Sequence, residues 1–348
     1  MRSFSKIIIL SLFLSISIVA TAQVGGSRTY QFLGLSNSAR IAALGGNFLA
    51  IKDDDITLAI ANPSLITKDM NNKLALSYIN YYSDVNYGFA AYSRSFNKIG
   101  SFVGSIQYIN YGNFTRADAT GETFGSFKAA EYALNIGWAK QLDSNFSIGS
   151  NLKTILSSLE SYSSFGLAVD VAATYQSNNK RFVTSLMLKN IGRQLSYYNE
   201  GNRENLPFEI QFGLSQKLKH APFRFSLLLN HLEKWDLTYE DPLNPSVKID
   251  PLTKEVIEKS KLSKFGDNLM RHFVLGVEFV PSNSFNIRLG YNYQRRQEMK
   301  VESALSTVGF SWGFGFRVSK FYFSYAHVIQ HLAGSSNFFT IATNLSAF

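Results

Sequence analysis

From about residue 73 onward, apolar and polar side chains alternate along the chain with a period of two. In residues 285–294 one face is apolar or aromatic and the other is polar or carries glycine; the apolar face holds Phe285, Ile287, Leu289, Tyr291 and Tyr293. Such alternation is the signal of a β-strand with one apolar face. Fourteen segments show it, at about 73–81, 86–96, 99–110, 126–140, 145–156, 163–177, 181–192, 207–219, 223–233, 270–280, 285–296, 304–317, 320–329 and 336–348. Most of them are longer than the ~5–6 residues of a typical soluble strand.

The length of the connections between these segments depends on whether their number in the chain order is odd or even. Every even-numbered connection is short, at 97–98, 141–144, 178–180, 220–222, 281–284 and 318–319, whereas the odd-numbered ones include the long stretches 111–125, 193–206 and 234–269. Short periplasmic turns and longer outside loops are typical of outer-membrane barrels. We therefore predict an all-β fold, a 14-stranded antiparallel outer-membrane β-barrel over residues 71–348, with a long extracellular loop at 234–269. A secreted β-sandwich or propeller is the alternative, and it gives no reason for the sorting of the loops.

The first 22 residues have the features of a secretory signal peptide. Arg2 and Lys6 precede an apolar run that ends at Ala20, and Ala20-Thr21-Ala22 forms a small-residue cleavage site before Gln23. We expect an exported chain that is cleaved at Ala22/Gln23 and inserted in the cell outer membrane.

Residues 23–70 break the alternation and predict a short helical plug segment. Ser36 or Asn37 is placed to cap an Ala-rich helix that contains Arg40, and Gly45-Gly46 can end it. Three acidic residues, Asp53, Asp54 and Asp55, then precede an apolar turn and a break at Asn62-Pro63. In front of a barrel, such a segment is expected in the lumen or at the periplasmic mouth. There Arg40 and the aspartates would meet inward-facing charges from Lys217, Arg288 or Arg317; a calcium site at the aspartates is the alternative.

Composition changes this picture little. The chain has 29 Phe and 18 Tyr, yet its mean hydropathy is only −0.04, as expected when strict alternation dilutes apolar residues with polar ones. The absence of cysteine excludes disulfides, cysteine metal sites and a lipid-modified N-terminal cysteine. The formal charge of +9 comes from scattered Lys and Arg, a pattern that favours anionic lipid or lipopolysaccharide over nucleic acid as a neighbour.

Three motifs are candidates for chemistry, and none predicts an enzyme. Gly309-Phe310-Ser311-Trp312-Gly313 fits the G-x-S-x-G elbow of serine hydrolases, but Ser311 falls in mid-strand on the small-residue face, with no helix after it. Two S-x-x-K matches, which begin at Ser95 and Ser177, lie at predicted short turns and lack the companion S-D-N and K-T-G motifs. The five histidines show no helical metal-binding spacing. We therefore predict a protein without catalytic residues, metal or cofactor.

The long loop 234–269 is the strongest candidate for a binding site. It is charged and proline-containing, it has a helical pattern around 254–265, and it is far longer than a hairpin needs. Its first residues combine aromatic and acidic side chains that can form an anchor with a polar rim for a partner: Trp235, Asp236, Tyr239, Glu240 and Asp241. The alternative is that Trp235 belongs to the aromatic girdle of the membrane and that the loop is solvated.

Several stretches resemble known barrel families. "SARIAALGG", "DDDITLAIANPSLI" and "YINYYSDVNYGFAAYSRSF" resemble the start of the fourteen-stranded FadL-like barrels, whose plug carries Asn-Pro-Ala where this chain has Asn62-Pro63-Ser64. "SSLESYSSFGLAVD", "NIGRQLSYYNEGNRENLPFEIQFGLSQKLKHAPFRFSL" and "HLEKWDLTYEDP" resemble the PorQ family of the type IX secretion system of Bacteroidetes. This second resemblance implies a role in the attachment complex, with PorV and PorU-like components, in which the barrel tethers a PorZ-like surface protein and secreted cargo is anchored at the cell surface. A FadL-like channel for hydrophobic small molecules is the alternative function, although the polar inward positions do not suggest an apolar lumen.

Overall fold

The protein is a closed barrel of fourteen antiparallel strands. The computed structural model describes residues 28–81, 84–238, 248–249, 256–257, 260–300, 307–331 and 334–348, so the predicted signal peptide lies outside the described residues. The barrel strands are β1 Lys73–Asn80, β2 Asn86–Phe96, β3 Gly100–Ala117, β4 Thr123–Gln141, β5 Phe146–Leu159, β6 Tyr162–Gln176, β7 Phe182–Ser196, β8 Glu209–Lys217, β9 Phe223–Leu229, β10 Phe273–Ser282, β11 Phe285–Asn292, β12 Phe310–Val318, β13 Phe321–His331 and β14 Gly334–Asn344. Each strand pairs with its neighbours in the chain, and β1 pairs with β14 to close the wall. The prediction of a 14-stranded barrel is confirmed.

All the connections longer than five residues lie at one end of the barrel: 197–208, 230–272 and 293–309. We call this the loop end, and the opposite end, which holds the short turns, the turn end. β1 begins and β14 finishes at the turn end, whereas the first described residue, Arg28, forms a bridge with Asn205 of the loop-end connection 197–208, so the N-terminal segment runs through the barrel from the loop end to the turn end. Among the described residues, no helix is long and apolar enough to span a membrane.

The two faces of the wall differ as the alternation predicts. On β11, Leu289 is 58% exposed while Arg288 beside it is 1% exposed. Large apolar side chains face outward all around the wall. The inward face carries Ser, Asn, Gly and charged residues, and also apolar residues such as Ile79, Phe89, Val103 and Phe338 where the wall packs on the segment inside. An exposed apolar band of this kind needs an apolar solvent, which the hydrocarbon core of a bilayer provides.

Four helices complete the described structure, α1 Ala39–Ala43, α2 Leu58–Ala61, α3 Lys261–Arg271 and α4 Tyr293–Met299, with short 3₁₀ turns at Gln31–Gly34, Pro63–Leu65, Lys68–Met70 and Leu345–Ala347. The N-cap of α1 is Ser38, whose hydroxyl accepts a hydrogen bond from Ile41 N at 3.4 Å, so the predicted cap at Ser36 or Asn37 is wrong. The predicted stop is confirmed, because Gly45 and Gly46 follow α1 with φ of 106° and 95°.

Several element boundaries differ from the predictions. Residues 293–296, predicted as the end of a strand, form the start of α4, because the Asn292 side chain accepts a hydrogen bond from Arg295 N and caps a helix. β9 ends at Leu229 instead of residue 233. The helix predicted around 254–265 begins only at Lys261 and runs to Arg271, and Val256–Ile257 is a short strand that pairs with Lys248–Ile249.

The predicted loop 111–125 is mostly strand. β3 continues to Ala117 and β4 begins at Thr123, so only residues 118–122 form the turn. The added residues of β3 and β4 pair with each other, from Asn113 opposite Lys128 to Ala117 opposite Thr123.

Residues 28–70 fill the lumen. Inward-facing serines on three well-separated strands donate hydrogen bonds to plug carbonyls: Ser147 on β5 to Ser64 O (2.8 Å), Ser215 on β8 to Ala50 O (2.5 Å) and Ser311 on β12 to Ala43 O (3.0 Å). Because these strands lie on different sides of the wall, the segment is held from all around. It is the helical plug segment that the sequence predicts, and we call it the plug.

Candidate functional site

A buried ionic cluster joins the plug to the barrel wall near the turn end. Arg40 of α1 is its centre on the plug side. Its guanidinium contacts Asp53 Oδ2 at 2.7 Å, Asp55 Oδ2 at 3.1 Å and Glu278 Oε1 at 2.9 Å. Arg40 is only 7% exposed, so the cluster exists largely away from solvent.

The wall side of the cluster is a ladder of charges across three strands. In the strand register Glu278 of β10 lies directly opposite Arg224 of β9 and Arg288 of β11. Glu278 Oε2 lies 2.8 Å from Arg224 Nη1, and Glu278 Oε1 lies 3.0 Å from Arg288 Nε. Three guanidinium groups therefore share one buried carboxylate, and Asp53 and Asp55 balance the remaining two positive charges.

The structure brings together some of the predicted plug residues and separates others. Arg40, Asp53 and Asp55 meet in the cluster, whereas Asp54 points away to pair with Lys73 at an exposed position. Of the three wall cations that we expected near them, only Arg288 takes part. Lys217 and Arg317 are exposed near the turn end and have no ion pair among the described residues, so the prediction is wrong for both.

Sequence reasoning missed Glu278 and Arg224. A signal for Glu278 was present, because it falls on the same face of its strand as Val274 and Gly276, and that face points inward. The periodicity of one strand does not reveal which inward residues lie opposite each other, and the cluster depends on that register.

Asn62-Pro63-Ser64 fixes a second contact between plug and wall. Asn62 Nδ2 donates to Leu49 O at 2.7 Å inside the plug, and its Oδ1 accepts from Ser64 N at 3.0 Å. The Ser64 hydroxyl lies 2.6 Å from Thr174 Oγ1 on β6. Pro63 packs so closely on β5 that a Cβ at Gly149 would come within 2.6 Å of its carbonyl oxygen. This motif therefore locks the turn after α2 against two strands.

The cluster lowers the pKa of Asp53. Burial by itself would raise the pKa, but the guanidinium groups of Arg40 and Arg224 outweigh burial and hold it below its ordinary value of 3.8. A carboxyl with a depressed pKa contributes stability that is complete above the ordinary pKa and is lost as the pH falls through the lower, folded-state pKa.

We expect the stability supplied by Asp53 to follow that rule. The difference in thermal midpoint between the wild-type protein and Asp53→Asn, measured in detergent by circular dichroism, should be constant from pH 7 down to the ordinary pKa of 3.8 and shrink below it. A difference that already shrinks between pH 7 and 5 would contradict the depressed pKa.

No catalytic arrangement accompanies Ser311. The residue is 1% exposed, its hydroxyl donates to Ala43 O, and its ladder partners are Gly290 and Val328. Neither partner can act as a general base, so Ser311 fills an inward strand position, as predicted. Within the described part of the chain, no group of three or more metal-binding side chains lies together.

The loop end carries a second candidate site, an exposed apolar surface around α3. Ser260 caps this helix by accepting a hydrogen bond from Ser263 N at 3.2 Å. None of its eleven residues is buried, and its apolar residues follow helical spacing: Leu262, Phe265 and Leu269 are 81%, 53% and 37% exposed.

The polar side of α3 is attached to the protein, which leaves the apolar side outward. Asp267 accepts hydrogen bonds from Arg271 Nε at 2.9 Å and from the Tyr293 hydroxyl of α4 at 2.8 Å. Trp235 extends the apolar side, because its ring contacts that of Phe265, with centroids 5.1 Å apart and planes tilted by 36°, and is itself 50% exposed. We call Trp235, Leu262, Phe265 and Leu269 the α3 surface.

The other predicted partner-binding residues have a simpler structural role or lie outside the described part. Asp236 Oδ1 accepts hydrogen bonds from Thr238 N at 2.9 Å and Thr238 Oγ1 at 2.6 Å, which closes a small turn. Tyr239, Glu240 and Asp241 lie outside the described residues. Sequence reasoning identified Trp235 but missed its partner Phe265, although Phe265 stands at the end of the predicted helical pattern.

Comparisons with known proteins identify the fold. No protein-family model matches the chain, and no curated protein sequence matches it. Among solved structures, the toluene transporter TodX of Pseudomonas putida has a TM-score of 0.51 and 11% identity, over 88% of this chain and 96% of that chain. The monoaromatic hydrocarbon channel CymD has a TM-score of 0.49 and 10% identity, over 90% of this chain and 97% of that chain. A FadL homologue of Pseudomonas aeruginosa has a TM-score of 0.47 and 10% identity, over 89% and 98%. At 11% identity, the similarity to the toluene transporter shows a shared barrel fold.

Proposed function

We propose that the chain is a non-enzymatic, plugged barrel of the outer membrane that tethers a surface partner at its loop end. The observation that carries the proposal is the α3 surface. Among the described residues nothing covers the apolar side of this helix, and exposed apolar patches mark interaction sites. Trp235 and Phe265 at its centre are aromatic residues of the kind that dominate binding energy at interfaces.

The filled lumen supports the same function. The plug is held by side chains from β5, β8 and β12, and the ionic cluster binds it to β9, β10 and β11. The plug and the inward side chains of the wall pack on each other, through an apolar cluster that includes Phe32, Phe89 and Phe338 as well as through these polar contacts. This arrangement suits an anchor better than a conduit.

The resemblance to the PorQ family gives the partner a class. It favours a type IX secretion role in which the barrel holds a PorZ-like protein within an attachment complex that includes PorV and PorU-like components. In that role Trp235 and Phe265 form the anchor, and the acidic residues that follow Trp235 in the sequence supply polar groups for a rim. Lipopolysaccharide surrounds the barrel, and the basic net charge of the chain suits that environment.

We expect the double substitution Trp235→Ala with Phe265→Ala to release the surface partner. Truncation of these two aromatic anchors, which contact each other, should weaken association by about 2 kcal/mol or more, roughly thirtyfold in affinity. The measurement is the amount of PorZ-like protein that co-purifies with the tagged barrel from its own outer membrane.

The matched control is Trp312→Ala, which removes an exposed aromatic residue from the lipid-facing side of β12, where it is 42% exposed. The control should keep the partner at the wild-type level. If the double variant folds as a heat-modifiable barrel and also keeps the partner, the α3 surface is not the tether.

A channel for hydrophobic small molecules is the second candidate, and the similarity to the toluene transporter favours it. The structural comparisons support this candidate more than the tether. Toluene uptake into proteoliposomes that contain the purified barrel tests it. Uptake above that of protein-free liposomes would support the channel, and uptake equal to theirs would remove it.

A further inference from the structure

The charges of the chain are divided unevenly between the two ends of the barrel. At the loop end cations and carboxylates occur together, and Arg116 pairs with Glu160 as Arg271 does with Asp267. The turn end lies entirely within the described residues, and outside the ionic cluster its carboxylates are Asp54, Asp69 and Asp143. Cations outnumber these carboxylates there, so the excess positive charge of the chain is concentrated at the turn end.

Exposed lysines line the turns of that end. Four of the turns contain one, and the turn at 142–145 has one just before it: Lys98, Lys180, Lys219, Lys320 and Lys140. Within the described part of the chain, none of the five forms an ion pair. Because successive turns follow one another around the barrel, these lysines form a ring, which we call the basic rim.

The apolar outer surface of the barrel reaches the level of the basic rim. Ile99, which follows Lys98 in the chain, is 56% exposed. Leu218, which precedes Lys219, is exposed as well. The apolar band therefore ends where the lysines begin, without a polar zone between them.

Aromatic rings accompany the lysines. On β4, Trp138 and Lys140 both point outward, because the buried Ala139 between them faces inward. Lys320 Nζ lies 4.3 Å from the centroid of the Phe348 ring, which is a cation–π contact. Aromatic residues at the edge of an apolar band are typical of the interface between membrane and water.

The position of the basic rim determines what it meets. The apolar band lies in the hydrocarbon core of the bilayer, so residues at its edge lie among the lipid headgroups. A lysine there keeps its apolar stem against the band and extends its ammonium group into the polar layer. Phospholipid phosphates lie in that layer, and their negative charge attracts Lys and Arg side chains. A soluble acidic protein could reach the lysines, but not the apolar residues beside them, which the bilayer covers.

We propose that the basic rim binds the headgroups of anionic phospholipids in the leaflet at the turn end. The ammonium groups of the five lysines donate hydrogen bonds to phosphate oxygens, and the apolar residues beside them contact the upper part of the acyl chains. This contact is independent of the tether, because the α3 surface lies at the opposite end of the barrel.

Lipid selectivity can be measured on the purified wild-type barrel. The barrel is reconstituted in phosphatidylcholine vesicles that contain a trace of spin-labelled phosphatidylglycerol or spin-labelled phosphatidylcholine, and electron paramagnetic resonance gives the fraction of label held at the protein. At low salt the association constant of phosphatidylglycerol should exceed that of phosphatidylcholine about threefold or more. In 1 M NaCl the ratio should fall toward one, because the Debye length is then only about 3 Å.

Two variants of equal charge change locate the effect. Replacing all five lysines of the basic rim by glutamine should bring the ratio close to one at low salt. The matched control replaces five exposed cations of the loop end by glutamine, namely Lys128, Arg193, Arg203, Lys261 and Lys300. It should keep the wild-type ratio, because carboxylates accompany the cations at that end. Heat-modifiable migration confirms that each variant is folded.

Three results would overturn the inference. The first is a wild-type barrel that shows no preference for phosphatidylglycerol, or a preference that 1 M NaCl leaves unchanged. The second is a folded rim variant that keeps the wild-type ratio. The third is a control variant that loses the preference as fully as the rim variant, which would assign the effect to net charge instead of to the basic rim. The salt series on the wild-type protein decides the question even if the rim variant does not fold.

Discussion

Glu278→Gln is expected to lower the free energy of unfolding by about 3–5 kcal/mol, because it removes a buried carboxylate that three guanidinium groups share. Glutamine keeps the shape of the side chain but leaves the cluster with a net positive charge. The loss is large because charges in a buried site must be paired once water is removed. Denaturant titration of the barrel in detergent, followed by circular dichroism, measures it.

Two variants separate charge balance from packing. Glu160→Gln removes an exposed carboxylate that pairs with Arg116, and it should cost at most about 1 kcal/mol because solvent screens that pair. Adding Arg224→Gln to Glu278→Gln restores equal numbers of positive and negative groups and should recover part of the stability. Equal effects of Glu278→Gln and Glu160→Gln would show that the ionic cluster does not stabilise the barrel.

The barrel could be predicted from sequence because each lipid-facing strand satisfies one strong and local rule. In residues 285–292 every second side chain is large and apolar, and the structure places each of them outside. The rule fails where another interaction, such as a helix cap, determines the local backbone structure. Tyr293 extends the alternation past Asn292, but Asn292 caps α4 and Arg295 turns inward against Gly46 of the plug. That contact is tertiary, so no strand pattern could show it.

The strand structure within residues 111–125 was not predicted, for a related reason. Gly112, Gly121 and Gly125 make 111–125 look like a loop, yet Gly112 and Gly125 adopt positive φ where the strand register shifts. Glycine at a bulge and glycine in a loop have the same sequence signature. The ionic cluster was predictable in part, since Arg40 and the aspartates were expected to find partners in the wall. Which partners they find depends on strand register.

The largest effect on the plug is expected from Gly290→Val. Gly290 of β11 faces inward, and a Cβ there would overlap Gly45 N and Leu44 C and lie 2.6 Å from Ala43 O. These are backbone atoms at the end of α1 and cannot move aside as a flexible side chain would. Valine is favourable in a strand, so the barrel wall itself should still form. The strain of overpacking, typically about 1–3 kcal/mol, then falls on the contact between plug and wall.

Gly290→Val is therefore expected to convert a closed barrel into a conducting one. The wild-type protein in a planar lipid bilayer should show no steady conductance, whereas the variant should show open events as the plug is displaced. Gly149→Val on β5, where Pro63 packs, should act in the same way from another side of the lumen. The matched control is Gly104→Val, because Gly104 faces outward on β3 and a Cβ there meets no atom within 4 Å.

The same recordings bear on the choice between anchor and channel. If the plug seals the lumen, only the inward glycine variants conduct, and loss of the seal should leave the partner attached at the α3 surface, because that surface lies at the loop end outside the lumen. If the wild-type barrel conducts as strongly as Gly290→Val, the contacts between plug and wall do not close the lumen. The filled lumen would then no longer argue against a channel.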